Sequence, residues 1–179
     1  MSESSLPMPA AVQARLWQEA GDLPAYVILD GAQNLTLFGA LHADTAPRWR
    51  CLFTGHLEPD MATVAPYLIE LEHGSAFTRQ LLAEGWGQNW GVFLTSQLAL
   101  PALWRHVRQQ VHVYGPHMES LFFRFYDPRV MRNYLPTCPG AQLASFFGPV
   151  DFYIAEGESP ARAHAWSVAD GQLVAQSIG

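Results

Sequence analysis

The feature that most constrains this chain is a series of short apolar runs separated by segments with helical spacing. The runs are rich in β-branched and aromatic residues. Continuous apolar runs of this length are typical of strands that are buried on both faces of a sheet. We therefore predict strands at residues 26–29, 49–53, 66–71 and 89–94.

Between these runs, apolar residues recur at the spacing of a helix. Leu100, Leu103, Trp104 and Val107 lie at i, i+3, i+4 and i+7, on one face of a predicted helix over residues 98–109. The alternation of strands and helices predicts an α/β fold with a mixed β-sheet and packed helices. Further helices are predicted at residues 11–20, 33–41 and 139–147, between Ser75 and Gly85, and after Asp127-Pro128, where a carboxylate can cap the first turn.

The two ends of the chain have their own patterns. Residues 165–168 and 172–174 flank Asp170-Gly171, a pair that is favoured in tight hairpin turns. A boundary near Gly148-Pro149 then divides an α/β domain at residues 1–150 from a short C-terminal β-hairpin appendage at 151–179. Another strand is expected at residues 151–155, and residues 1–10 are expected to form a flexible tail.

The charge of the chain excludes several classes of partner. The net charge is −6, and all 10 basic residues are arginines. Binding to nucleic acid or to an anionic membrane usually requires an excess of basic residues, so neither partner is expected. The chain has no run of 18 apolar residues and no signal-peptide pattern at its N-terminus. We therefore expect a cytoplasmic protein.

Motifs of the common catalytic and cofactor sites are missing from the sequence. The glycines of residues 85–91 depart from the spacing of a dinucleotide-binding loop, and a predicted strand follows them. The histidines form no zinc motif, and no serine lies in a nucleophile elbow. We therefore expect no catalytic residue, no metal site and no cofactor.

The densest group of charged and aromatic residues lies at the end of a predicted hairpin, formed by strands at residues 111–114 and 119–126. Alternation along the second strand would place Phe122, Arg124 and Tyr126 on one face. Arg124 then either forms an ion pair inside the fold or belongs to a binding surface. The candidate carboxylates for an ion pair are Asp30, Glu70 and Asp151.

Two residues follow this strand closely and have simple structural roles available. Asp127 can cap the next helix, and Arg129 can pair with an acid or reach a ligand. Arginine and aspartate without a nearby nucleophile or base are a poor catalytic set.

Seven segments of the chain, taken in order, resemble those of a known family. They read YVILDGA (26–32), WRCLFTG (49–55), APYLIEL (65–71), GWGQNWGVFLTS (85–96), WRHVR (104–108), FRFYDPRV (123–130) and FFGPV (146–150). Their order and spacing resemble the type VI secretion effector chaperones, also called adaptor proteins, over residues 26–150.

The resemblance implies a protein that is not an enzyme. Such a protein binds a toxic effector in the bacterial cytoplasm and helps to load it onto the spike protein of the secretion apparatus. The effector is therefore the expected partner, and the spike protein is a second candidate. The positions that match the family motif, as partner-binding or structural residues, are Arg124, Tyr126, Asp127 and Arg129, with Arg105 and Arg108 on the preceding helix.

Two other classes of function stay open at this point. In a small α/β enzyme acting on an anionic metabolite, Arg124 and Arg129 would hold the anion and His106 would act as the base. That function requires a deep pocket that contains all three side chains. An immunity or scaffold protein would bind a toxin in order to neutralise it.

Overall fold

The computed structural model describes residues 7–17, 21 and 23–179 and is built around a seven-stranded sheet. The strands of this sheet are β1 (Ala25–Asp30), β2 (Trp49–Cys51), β3 (Pro66–Leu71), β4 (Gly91–Ser96), β7 (Val150–Glu156), β8 (Ala163–Ala169) and β9 (Gln172–Ile178), and their order is β2-β3-β1-β4-β7-β8-β9. A separate hairpin consists of β5 (His112–Tyr114) and β6 (Ser120–Phe122).

Helices cover both faces of the large sheet. They are α1 (Ala10–Trp17), α2 (Leu37–Leu41), α3 (Pro59–Val64), α4 (Ala76–Glu84), α5 (Leu100–Val107), α6 (Pro128–Tyr134) and α7 (Gly140–Phe147). Tyr26 and Ile28 of β1 pack into one core with α5, α6 and α7. Val27 and Leu29 pack into a second core with α1, α2 and α4. Because side chains alternate along a strand, β1 contributes residues to two hydrophobic layers, one on each face of the sheet.

The predicted α/β class is confirmed, and the pairing of the strands is simpler than expected. Each pair of neighbouring strands in the large sheet is antiparallel, whereas a mixed sheet was expected. The alternation of strands and helices in the sequence does not fix strand direction. A helical connection can return the chain to either end of the sheet, and only the pairing decides between them.

Two helix boundaries have the capping chemistry that the sequence predicts. The Ser75 hydroxyl accepts a hydrogen bond from the Thr78 amide at 3.2 Å, and α4 ends at Gly85. The Asp127 carboxylate accepts one from the Arg129 amide at 2.9 Å, immediately before Pro128 opens α6. These bonds satisfy amide groups that have no partner within the helix.

Two predicted segments differ from the structure. The described part of the predicted N-terminal tail is packed, because Met8 is buried and its amide donates to the Leu82 carbonyl at 2.8 Å. The helix predicted at 33–41 shortens to α2, because the Asn34 side chain accepts bonds from Thr36 and holds a turn. Leu35 in that turn is 80% exposed. Residues 1–6, 18–20 and 22 of the predicted tail, helix and helix break lie outside the described residues.

The C-terminal hairpin is present and extends the main sheet, whereas a small appendage was expected. Asp170 and Gly171 both have positive φ, of 50° and 73°, as the tight turn between β8 and β9 requires. β7 pairs with β4 on one side and with β8 on the other. α7 supplies Leu143, Phe146 and Phe147 to the core that also contains Trp166 of β8. Residues 150–178 are thus continuous with the rest of the sheet.

A buried carboxylate fastens the end of β7 to the turn before β4. Glu156 accepts a hydrogen bond from the Asn89 amide at 3.0 Å, and its own carbonyl accepts one from Arg132 at 2.6 Å. Burial raises the pKa of Glu156 to about 7, because the charged form loses its hydration. The folded state therefore binds a proton more tightly than the unfolded chain does.

We predict that Glu156 makes the fold less stable as the pH rises. Between its ordinary value of 4.5 and about 7, the folded protein holds more protons than the unfolded chain. The free energy of unfolding should fall by roughly 2 kcal/mol across this range. Glu156→Gln should remove that part of the fall, as measured by urea unfolding at pH 5 and pH 8. Glu158→Gln, which changes an exposed neighbouring carboxylate, should show the same fall in the free energy of unfolding as the unmodified protein. If Glu156→Gln shows that same fall, Glu156 is not the group responsible for it.

Candidate protein-binding surface

An ion pair joins the central strand to the segment before α6. The Arg124 guanidinium donates to Oδ2 of Asp30, the last residue of β1. The second oxygen of Asp30 accepts the Ala32 amide at 2.9 Å. Asp30 is only 2% exposed, while the Arg124 side chain is 43% exposed. Of the three carboxylates considered from the sequence, Asp30 is therefore the partner, and Glu70 lies 3.0 Å from Arg48 instead.

The strand predicted over 119–126 ends at Phe122, which changes where the next side chains point. The Asp127 amide donates to the Arg124 carbonyl at 3.0 Å, so these residues form a turn. Phe125 and Tyr126 consequently both enter the core, and Tyr126 does not share a strand face with Phe122 and Arg124. Burial raises the pKa of Tyr126 above its ordinary value. Tyr126 is therefore a core residue.

Both oxygens of the Asp127 carboxylate accept hydrogen bonds at the start of α6. Oδ1 accepts bonds from the amide and from Nε of Arg129, both at 2.9 Å, and Oδ2 accepts one from Nη2 at 2.7 Å. Burial alone would raise the pKa of Asp127, but the bonds from Arg129 outweigh it and hold the pKa below its ordinary value. Asp127 and Arg129 thus form a local structural pair, of which the arginine side chain reaches solvent.

The two motif arginines of α5 and its continuation lie in a different environment. The Arg108 guanidinium stacks on the Trp104 ring, 4.5 Å from its centroid, and Arg50 of β2 lies 5.5 Å from the same centroid. Arg105 is exposed on α5. No carboxylate of the described residues forms an ion pair with any of these three arginines. Within the part of the chain that the structure describes, no carboxylate therefore neutralises their positive charge.

The β5–β6 hairpin exposes an unusual amount of apolar surface. Tyr114 is 71% exposed, Met118 76% and Phe122 59%, and Val113 and Leu121 are also exposed. The hairpin is held at its base, where the Phe123 amide donates to the Val111 carbonyl at 2.7 Å. Phe122 also contacts Phe53, with ring centroids 4.9 Å apart. We call the exposed side chains Val113, Tyr114, Met118, Leu121 and Phe122 the apolar hairpin.

Sequence reasoning located the strands of this hairpin but missed its exposure. Its residues have the composition of a core strand, and only the fold shows that their side chains are exposed. Exposed apolar side chains that are grouped on one element mark interaction sites in soluble proteins. Arg108 lies in the helical turn Arg108–Val111 that leads into β5, so positive charge borders the apolar hairpin.

The residues of the enzyme alternative are not brought into one pocket. The His106 ring lies 3.0 Å from the Phe146 carbonyl, where it joins α5 to α7. Arg124 and Arg129 are engaged by Asp30 and Asp127. The clearest cavities in the described part of the chain, of which the largest is about 520 Å³, are lined by other residues.

The residues that the structure describes contain no group of three or more histidine, cysteine, aspartate or glutamate side chains placed to hold a metal ion. Among the same residues, no helix has the length and apolar character needed to cross a membrane.

These observations define the class as an α/β protein with an antiparallel sheet, helices on both faces and an exposed apolar hairpin. A family model described as a domain of unknown function, DUF4123, matches residues 25–145, which is more than half of the chain. The chain therefore belongs to the DUF4123 family. No curated protein and no solved structure matches it.

We predict that Arg124→Ala destabilises the fold, because it leaves the buried Asp30 carboxylate without its cation. The expected loss is about 1–3 kcal/mol, since Arg124 is partly exposed and water can replace some of the interaction. Thermal and urea unfolding measure this loss. Arg105→Ala is the matched control, because it removes an exposed arginine that has no ion pair, and it should leave stability nearly unchanged. Equal stability of the two variants would show that the ion pair does not support the fold.

Proposed function

We propose that this protein is an adaptor that binds a type VI secretion effector in the bacterial cytoplasm and helps to load it onto the spike protein. The observation that carries the proposal is the apolar hairpin, which lies within the residues that match the DUF4123 family. The segments that resemble effector chaperones fall in the same part of the chain. An adaptor of this kind requires a protein-binding surface and no catalytic group.

The distribution of the motif residues supports this proposal. Arg124, Tyr126, Asp127 and Arg129 are engaged inside the fold, so they position the chain around them. The apolar hairpin precedes them directly. Aromatic and methionine side chains bordered by arginine have the composition of protein interfaces. The role we assign to the ion pair is thus to hold the base of the recognition surface in place.

The alternative enzyme has less support, because His106, Arg124 and Arg129 each have a separate structural partner. Cys51 is half-buried, and burial raises the pKa of its thiol, which lowers its reactivity as a nucleophile.

Co-expression of the full chain with each protein encoded next to its gene tests the proposal, because an effector is sought among these neighbours. Affinity capture followed by size-exclusion chromatography should give a stable complex, and the effector expressed alone should be insoluble or degraded. The absence of a complex would contradict the proposal. A complex that neutralises the toxin but does not increase its secretion would instead identify an immunity protein.

We predict that the double variant Tyr114→Ala, Met118→Ala weakens effector binding at least about tenfold, because it removes two exposed apolar side chains from the centre of the contact. Isothermal titration calorimetry with purified effector measures the change. The melting temperature should stay the same, since both side chains are mostly in solvent.

Leu35→Ala provides the matched control for this prediction. Leu35 is as exposed as these residues but lies in the turn before α2. It should bind the effector as the unmodified protein does. Unchanged binding by the double variant would place the recognition surface elsewhere.

A further inference from the structure

The two edges of the large sheet differ in a way that the proposed function does not explain. β2 forms one edge and β9 forms the other. An edge strand presents unpaired backbone groups that can pair with another strand, and proteins normally blunt such edges with charge, short length or a covering side chain.

The β2 edge is blunted in all three ways. The strand has only three residues and carries Arg50 at its middle. Its outward-facing Cys51 carbonyl accepts a hydrogen bond from the Trp104 indole at 2.6 Å. Trp104 lies on α5, so a side chain from another element occupies the position that an added strand would need.

Among the residues that the structure describes, nothing protects the β9 edge in any of these ways. The strand has seven residues, Gln-Leu-Val-Ala-Gln-Ser-Ile, with no proline and no charged side chain. Its neighbour β8 also lacks aspartate, glutamate, lysine and arginine, although the chain as a whole has a net charge of −6. The two strands at this edge of the sheet therefore carry no Asp, Glu, Lys or Arg side chain.

The tight turn fixes which backbone groups are free. Ala169 and Gln172 close the two-residue turn as a hydrogen-bonded pair, so Val174, Gln176 and Ile178 also direct their amide and carbonyl groups toward β8. Leu173, Ala175 and Ser177 direct theirs outward. No hydrogen bond to these outward groups is found from the rest of the described chain.

We propose that a second copy of this chain occupies the edge, with the two β9 strands paired antiparallel about a two-fold axis at Ala175. In this register Leu173 faces Ser177 of the second copy and Ala175 faces its own counterpart. In each of these pairs, the two facing residues form two hydrogen bonds with each other, and each residue donates one and accepts one. All the free groups of Leu173, Ala175 and Ser177 are then satisfied at once.

The side chains of β9 suit pairing with an identical strand. A two-fold axis places each residue opposite a residue of the same strand, so a charged strand would bring like charges close together. β9 brings Ala175 against Ala175, and Val174 against Gln176. The half-exposed Val174 gains cover from the aliphatic part of that glutamine.

Charge at the two-fold position tests this arrangement. Analytical ultracentrifugation of the full chain should show a mass that rises with concentration from 19.9 kDa toward twice that value. Ala175→Lys and Ala175→Glu should each weaken self-association at least about tenfold, because two like charges would face each other across the axis. An equimolar mixture of the two variants should restore the dimer, because opposite charges then meet.

The restoration also shows that each variant is folded. Ala83→Lys, on the exposed surface of α4, is the control for added charge and should dimerise normally. A monomer at every concentration would overturn the proposal, as would a dimer that Ala175→Lys leaves intact. Effector binding is measured separately. If the unmodified chain forms no dimer and Ala175→Lys loses effector binding, β9 pairs with a strand of the partner instead, and the proposal is overturned.

Discussion

Every side chain of β1 is buried, and most of the architecture follows from this constraint. A strand that is buried on both faces needs a layer of helices on each side and a neighbour along each edge. β3 and β4 provide the neighbours, and the two sets of helices provide the layers. The strand ends at Asp30, where a charge would be costly without a partner. The segment before α6 supplies that partner in Arg124, so the same strand also determines where the apolar hairpin is anchored.

The segment that anchors the apolar hairpin packs against α6 and fills the core. Phe123 contacts Tyr134 of α6, with ring centroids 4.6 Å apart, while Phe125 and Tyr126 fill the core below. Only a few residues therefore separate the fully buried part of this segment from the apolar hairpin. In the proposed adaptor, the ion pair would therefore support the base of the apolar hairpin, whereas Tyr114 and Met118 would contact the partner themselves.

Local features of this fold could be predicted from the sequence, and relationships between distant elements could not. The strand at 66–71, the cap at Ser75 and the helix start at Asp127-Pro128 depend on neighbouring residues, so their signals are present in short windows. Asp30 was one of three candidate partners for Arg124, because charge alone does not select among carboxylates. Strand order, antiparallel pairing and the inclusion of residues 150–178 in the sheet depend on contacts across the whole chain. The burial of Met8 and the exposure of Met118 could not be predicted either. Both are methionines, and only the elements packed around each one decide whether it is buried.

The unlike edges of the sheet also have a consequence for assembly. A sheet with two open edges could add copies without end and grow into a fibre, because each addition would expose a fresh edge. Here Trp104 obstructs the β2 side, so a sheet that is extended through β9 has obstructed edges at both of its outer limits. In the proposed dimer, the Trp104 indole hydrogen bond, at the sheet edge opposite the C-terminal strands, therefore leaves no open edge for a third copy.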